Sequence, residues 1–276
     1  MVNMDQDERM DYLIERLKAE SYQYRNLWAE KEERPKLLRA LMNVRLPRSI
    51  DNDYLRVQAD YLKEAAREKG IVRVEDIPTV EEEYGSSHPF AGMLSIWQGD
   101  ITRIAADAIV NAANSQLLGC FIPCHKCIDN AIHSAAGIEL RMECDAIMKA
   151  KRRRYGSRYE EPTGRAEITG GYNLPAKHVI HTVGPIVKNK LNHALRQQLA
   201  DCYRNVMECA MIRDVRTLAF CCISTGEFRF PNDVAAKIAV KTVEEVLEKQ
   251  AKYFERIIFN VFREKDLGYY RKILIK

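Results

Sequence analysis

No apolar run in this chain approaches the roughly 18 residues needed to cross a bilayer, and no internal repeat or low-complexity segment breaks its pattern. The start, Met1 to Arg9, is acidic and polar, without the hydrophobic stretch of a secretory signal. A strong charge bias is missing too: the formal net charge is +4. These absences argue against a spanning or secreted protein and set a cytoplasmic one with no membrane partner as the expectation. The remaining bulk is ordinary. At 276 residues, 46% apolar and 30% charged, the chain can bury a full core as one large domain or as one domain with an appendage. The basic run Lys149-Ala150-Lys151-Arg152-Arg153-Arg154 reads as a solvated loop after a helix in preference to an anion-capturing patch, so no site role falls to it.

Eight cysteines are present, and in a reducing cytosol they read as thiols or metal ligands before disulfides. Cys144, Cys202, Cys209, Cys221 and Cys222 lie within helical or strand-like patterns, as small buried apolar residues do. The segment Cys120-Phe121-Ile122-Pro123-Cys124-His125-Lys126-Cys127 differs. Its three thiols and one imidazole supply most of a zinc shell, because Zn²⁺ favours sulfur and imidazole nitrogen in a tetrahedral set. A redox pair at Cys124 and Cys127, or free reactive thiols, are the competing readings; His125 between the cysteines favours metal. No second Cys/His pair follows at finger spacing, which argues against a nucleic-acid partner.

The first ~85 residues read as helical. Met10, Leu13, Ile14 and Leu17 mark one buried face, and Pro35 opens a second helix carrying Leu37, Leu38, Leu41 and Met42. A third starts at the Asp51-Asn52-Asp53 cap and uses Leu55, Leu62 and Ala65. Residues 81–92 read as a connection. From Met93 strands alternate with helices: strands at 94–98, 107–110, 179–183, 218–223 and 257–262, and helices at 129–150, through 195–207, at 232–247 and at the end. That alternation predicts an α/β fold, a layered sheet with helices on both faces, whose ligand lies at the carboxyl ends of the strands.

Three loops there carry polar residues. Asp100 after Gly99 is placed to accept from an amine such as that of adenine, or simply to cap a helix beginning near Ile101. Asn111 and Asn114, three apart on a turn, can face hydroxyls such as those of a ribose, or satisfy their own loop. The turn Ser224-Thr225-Gly226-Glu227-Phe228-Arg229-Phe230-Pro231 can aim N–H groups at a phosphate, or be an ordinary strand-to-helix turn.

In sequence order, Gly99-Asp100-Ile101-Thr102, Ile109 to Ser115, Ile128 to Gly137, Gly164 to Thr169 and Ile223 to Gly226 resemble the motifs of macrodomains, over roughly residues 90–275. The resemblance implies an N-terminal helical extension over 1–88 and a macrodomain over 89–276, a mixed sheet between helices that binds ADP-ribose. It implies that Asp100 and Ile101 hold the adenine, that Asn111 and Asn114 hold the distal ribose, and that Ser224, Thr225, Gly226, Glu227 and Phe228 cradle the diphosphate. Asp129 falls where hydrolytic macrodomains keep a functional carboxylate, with His133 one helical turn later.

Where the common hydrolytic type has a run of glycines, this chain has Cys120 to Cys127, similar to the zinc-dependent microbial branch of protein ADP-ribosyl hydrolases. Glu227 and Arg229 also replace small residues common in the phosphate loop. The branch pattern implies Cys120, His125 and Cys127 as ligands of Zn²⁺, with Cys124 a bystander in preference to a fourth ligand. Three ligands leave the open position of a catalytic site; four would make the loop structural. The expected activity is zinc-dependent removal of mono-ADP-ribose from Glu or Asp side chains of a target protein, by cleavage at the distal ribose. Asn114 would fix the ribose and Asp129 assist proton transfer or water placement. The implied partners are ADP-ribose, an ADP-ribosylated protein and a cognate ADP-ribosyltransferase system. The rivals are a non-catalytic ADP-ribose reader with a structural zinc and a hydrolase of a small ADP-ribose derivative.

Overall fold

Helix α1 (Gln6–Ala19) opens the fold on a reciprocal cap in which Asp5 and Glu8 each accept the other's backbone N–H. The computed structural model describes residues 4–275. Met10, Leu13, Ile14 and Leu17 are buried, as their spacing predicts. Helix α2 (Arg34–Val44) carries Pro35 in its first turn, where the missing N–H costs nothing. Helix α3 (Asn52–Glu68) is capped by Asp51, which accepts from the Tyr54 N–H. Its buried residues are Tyr54, Val57 and Gln58; the expected Leu55, Leu62 and Ala65 are only half-buried along its margin. These helices share a small core of their own, centred on Leu13, Leu38, Leu41 and Tyr54, which also takes in Ile138 from the larger unit.

The chain continues through β1 (Val72–Arg73), α4 (Val80–Tyr84), β2 (Leu94–Gln98), β3 (Ile104–Ala105), β4 (Ala108–Ala113), α5 (Ile128–Ala136) and α6 (Ile138–Tyr155). It ends with β5 (Ala166–Gly170), β6 (His178–Val183), α7 (His193–Ile212), β7 (Thr217–Phe220), α8 (Asn232–Gln250), β8 (Arg256–Val261) and α9 (Glu264–Leu274). The short β1 and β3 pair in parallel. The main sheet has six strands in the order β2-β8-β7-β4-β6-β5, parallel except for β5, which runs antiparallel to β6. Val179 and Ile180 on β6 and Ile257 to Phe259 on β8 are buried, as central parallel strands covered on both faces require. No described helix is long and apolar enough to cross a membrane. Because β2, β4 and β7 point the same way, the loops after them open along one edge of the sheet.

Several expectations change. The single helix over 129–150 is two, broken at Gly137 with φ +95°. The break is stabilised from a distance: Gln58 of α3 accepts the Ile138 N–H and donates to Glu139. A Cβ at Gly137 would lie 2.6 Å from Gln58 Nε2. Strand β4 runs on to Ala113, so Asn111 belongs to the strand rather than a turn and lies opposite His181 of β6. Strand β7 ends at Phe220, ahead of the expected Ile223. The edge strand β5 has no counterpart in the sequence reading, because it is only five residues long and its one buried residue is the polar Thr169. Residues 81–92 include most of α4, which a Thr79–Glu82 capping box starts and Gly85 ends. The basic run occupies the last turns of α6 instead of a loop, where Lys149 pairs with Asp145 and Lys151 with Glu161 and Glu167.

Candidate active site and metal loop

Helix α5 starts immediately after Cys127, whose Sγ accepts the Asn130 N–H at 3.4 Å. That start places Asp129 in the first turn, 5% exposed. Its Oδ1 accepts from Asn111 Nδ2 at 2.8 Å and its Oδ2 from Asn114 Nδ2 at 3.3 Å. Burial raises the carboxyl to about 6, while these two hydrogen bonds and the Arg141 charge pull the other way.

Behind the acid lies a polar chain buried in the sheet. Asn111, fully buried, also turns Nδ2 to His181 Nδ1 at 3.1 Å, and His181 Nε2 meets Thr169 Oγ1 at 2.9 Å. With an amide donating to Nδ1, the imidazole proton belongs on Nε2 and goes to Thr169. Burial holds His181 neutral, its pKa down to about 3. His133 is also buried and neutral; its Nε2 is 3.6 Å from Asp129 Oδ1, beyond hydrogen-bond reach, and neither ring nitrogen has a hydrogen-bond partner among the described residues. Cys144 completes a buried group with these two imidazoles. Asn114 satisfies its own loop, its Oδ1 accepting the Gln116 N–H and its Nδ2 donating to the Gly119 carbonyl, and the same Nδ2 also reaches Asp129.

The ligand atoms of Cys120, His125 and Cys127 all lie within 4.8 Å of one another, with Cys120 Sγ 3.6 Å from His125 Nδ1. Two sulfurs and one imidazole nitrogen form a soft donor set that suits zinc. Burial pushes the Cys127 thiol up to about 12, so binding a cation here must displace protons. Glu227 brings Oε1 to 3.9 Å from the other nitrogen of His125, near it but beyond hydrogen-bond reach. Cys124 is outside the trio. Its backbone has φ +53°, and its Sγ meets the Lys36 carbonyl at 3.3 Å. On that side a groove of about 500 Å³ separates Trp28, Glu33, Lys36 and Leu37 from Pro123 and Cys124.

The other two loops fall along the same sheet edge. Asp100 Oδ1 accepts from the Thr102 N–H and hydroxyl, so the capping role is realised, and Ile101 beside it is 1% exposed. In the third loop Ser224 has φ +65° and Arg229 +56°. The N–H groups of Gly226, Glu227 and Phe228 make no hydrogen bond among the described residues, which leaves three successive donors available to an anion. Ser224 Oγ is buried without a hydrogen-bond partner among the described residues, and a Cβ at Gly184 would lie 2.0 Å from it. Sequence reasoning missed His181, Thr169, Arg39, Asn43 and Arg141. Their contacts reach backbone carbonyls or buried amides and leave no spacing to read.

Residues 110–239 match the family model described as Macro domain. The chain is 45% identical over 273 residues to a protein-ADP-ribose hydrolase of Treponema medium, covering 98% of this chain and 100% of that protein. It is 40% identical over 277 residues to a protein-ADP-ribose hydrolase of Staphylococcus aureus strain MRSA252, covering 96% and 94%. Among solved structures, a Trypanosoma brucei macrodomain in complex with ADP-ribose superposes with a TM-score of 0.64 at 27% identity, covering 83% of this chain and 92% of that one. The chain therefore belongs to the macrodomain family. Its full-length relatives stand among the hydrolases of that family, and it is a hydrolase.

Proposed function

We propose that this hydrolase removes mono-ADP-ribose from acidic side chains of a modified protein, with Cys120, His125 and Cys127 holding Zn²⁺ beside the distal ribose. One observation carries the reading. The segment that gathers the soft donors ends in the cap of the helix that presents Asp129. Ligand set and acid are thus fixed to each other within a few residues.

When bound, the cation supplies Lewis acidity beside the distal ribose. The remaining work belongs to side chains of this chain. Asn111 and Asn114 aim the two oxygens of Asp129, and Asp129 assists proton transfer or places the attacking water. Asn114, on the loop side, fixes the ribose; Asn111, fully buried, contributes through the carboxylate it holds. The free N–H groups of 226–228 take the diphosphate, together with Ser224 and Thr225, and Asp100 and Ile101 take the adenine. A cognate ADP-ribosyltransferase and a cytoplasmic location complete the proposal.

The ADP-ribose bound to the trypanosomal macrodomain and the names of the full-length relatives support the ligand and the protein substrate. The zinc and the acid linkage rest on the residue pattern. The test is a metal analysis joined to release of ADP-ribose from Glu- or Asp-linked protein. His125→Ala and Cys127→Ala should lose zinc and turnover while keeping the fold and ADP-ribose binding. Undiminished turnover after exhaustive chelation rejects the metal role. Faster cleavage of small ADP-ribose derivatives than of modified protein moves the substrate.

A further inference from the structure

The loop that carries the metal donors has little structure of its own. Between Asn114 and Cys127 its internal backbone hydrogen bonds are Leu117 N–H to Asn114 and His125 N–H to Ile122. Leu117, Gly119 and Cys124 all have positive φ, so the path is neither strand nor helix. Four of its carbonyls, those of Leu118, Cys120, Ile122 and His125, accept from side chains outside the segment, and those side chains connect to the N-terminal helices. Arg39 of α2 donates to the His125 carbonyl at 3.2 Å, and to Asn130 Oδ1 through Nε at 3.1 Å and through its terminal nitrogen at 2.7 Å. Asn130, fully buried, passes the contact on, donating from Nδ2 to the Ile122 carbonyl at 3.0 Å. Asn43 of α2, 1% exposed, accepts the Cys124 N–H at 2.9 Å and donates to Ser134 at 2.9 Å.

Arg141 of α6 closes the arrangement. Its guanidinium, 4.2 Å from the Phe121 ring centre, donates to the Leu118 carbonyl at 2.6 Å and the Cys120 carbonyl at 3.4 Å. Its remaining nitrogen donates to the carbonyls of Met42, Asn43 and Arg45, where α2 ends. One buried cation therefore ties the end of α2 to the loop just before its first metal donor.

We infer that the N-terminal helices are a positioning device for the metal loop: Arg39 and Asn43, with Arg141, hold residues 118–127 so that Cys120, His125 and Cys127 converge before any cation arrives. This rests on the zinc reading proposed above and gives the helical extension a part in it. An unsupported loop must lose backbone freedom when it binds metal, and that cost weakens the affinity; a loop already held has lost it on folding. The residues concerned are positioning residues, because none of them reaches the donor atoms or the distal ribose side.

Arg39 is the position to test, being half-buried on a helix surface. Zinc affinity is measured against a competing chelator, ADP-ribose affinity by calorimetry, and exchange of the 118–127 amides in metal-free protein by mass spectrometry. Arg39→Ala is expected to weaken zinc roughly 10- to 100-fold, the range for removing partners that orient ligands, and to leave ADP-ribose affinity within about threefold. Loop amides should exchange faster, and excess zinc should restore turnover. Arg39→Lys keeps the charge but cannot serve His125 and Asn130 together, and should fall between, so a poorly folded alanine variant does not end the test. Zinc affinity and loop exchange equal to those of the unsubstituted protein overturn this inference alone. An unsubstituted protein that takes up no zinc overturns the metal reading and this inference with it. Parallel losses of zinc and ADP-ribose affinity would mean general unfolding and also count against it.

Discussion

A single methyl group at position 119 is expected to damage the site more than its size suggests. Gly119 has φ +75°, where a side chain costs about 1–2 kcal/mol. The added Cβ would lie 2.8 Å from Cγ and Cδ2 of His133 and 2.9 Å from Nδ1, against the roughly 3.5–4.0 Å of an ordinary carbon contact. His133 is 4% exposed and has no room to swing outward, so overpacking adds about 1–3 kcal/mol. The expected loss for Gly119→Ala is about 2–5 kcal/mol in urea unfolding of the metal-free protein. Activity should fall as well, because the Gly119 carbonyl holds the Asn114 amide that reaches Asp129. Gly85→Ala is the control: Gly85 has φ +62°, but nothing lies within 4 Å of its added Cβ, so it reports backbone strain alone. If Gly119→Ala loses no more stability than Gly85→Ala, the tight contact between this loop and His133 is refuted.

Cys124→Ser should leave the zinc stoichiometry unchanged and turnover nearly so, since its thiol faces Lys36 and not the trio; loss of the metal would make it a ligand. Gln58→Ala should cost about 1–3 kcal/mol in the same unfolding assay, because it strips the acceptor from the buried Ile138 N–H at the start of α6. The buried imidazoles predict acid lability with a definite sign. His181 titrates near 6.5 unfolded but near 3 folded, so its contribution is complete above pH 6.5 and is lost as pH falls toward 3. Between pH 7 and 5 that loss is about 2 kcal/mol, and His181→Gln should flatten the stability–pH curve by that amount; an unchanged slope would count against a neutral buried ring.

The parts of the fold legible in the sequence were those whose local pattern agrees with the tertiary outcome. Val179 to Val183 reads as a buried strand because both its faces are covered, and α1 reads correctly because its four apolar residues all point into one core. The failures share a cause. Apolar spacing carries a helix straight through Gly137, and what stabilises the break is Gln58, far away in sequence. Asn111 reads as a loop residue because it is polar, yet it is a strand residue whose partners, His181 and Asp129, come from other elements. Cys120, His125 and Cys127 stood out through their spacing and the family they resemble, and the structure brings their ligand atoms within 4.8 Å of one another. The loop's anchors did not. Arg39, Asn43 and Arg141 reach the loop through its backbone carbonyls and the Cys124 N–H, groups every residue but proline possesses, so no residue type or interval in the loop announces them.

The chemistry of the site follows from how its charges are housed. Asp129 is buried against amides; among the described residues no arginine or lysine bonds its oxygens, and Arg141 acts on it only as a neighbouring charge. An ion pair would hold both oxygens and neutralise the group, whereas amide donors fix its direction and leave the acid available. The nearby imidazoles of His133 and His181 are kept neutral, so they add no competing cation. Such burial destabilises the fold, and the closely packed sheet behind it offsets the cost. The positive charge that the pocket withholds from its carboxylate is the one the donor trio, opening next to it, is chemically equipped to recruit. On the zinc reading proposed above, a cation held there would act on the sugar side, while the amides keep the acid aimed. That division of labour explains why Cys127, the final donor of the trio, also caps the helix that presents Asp129.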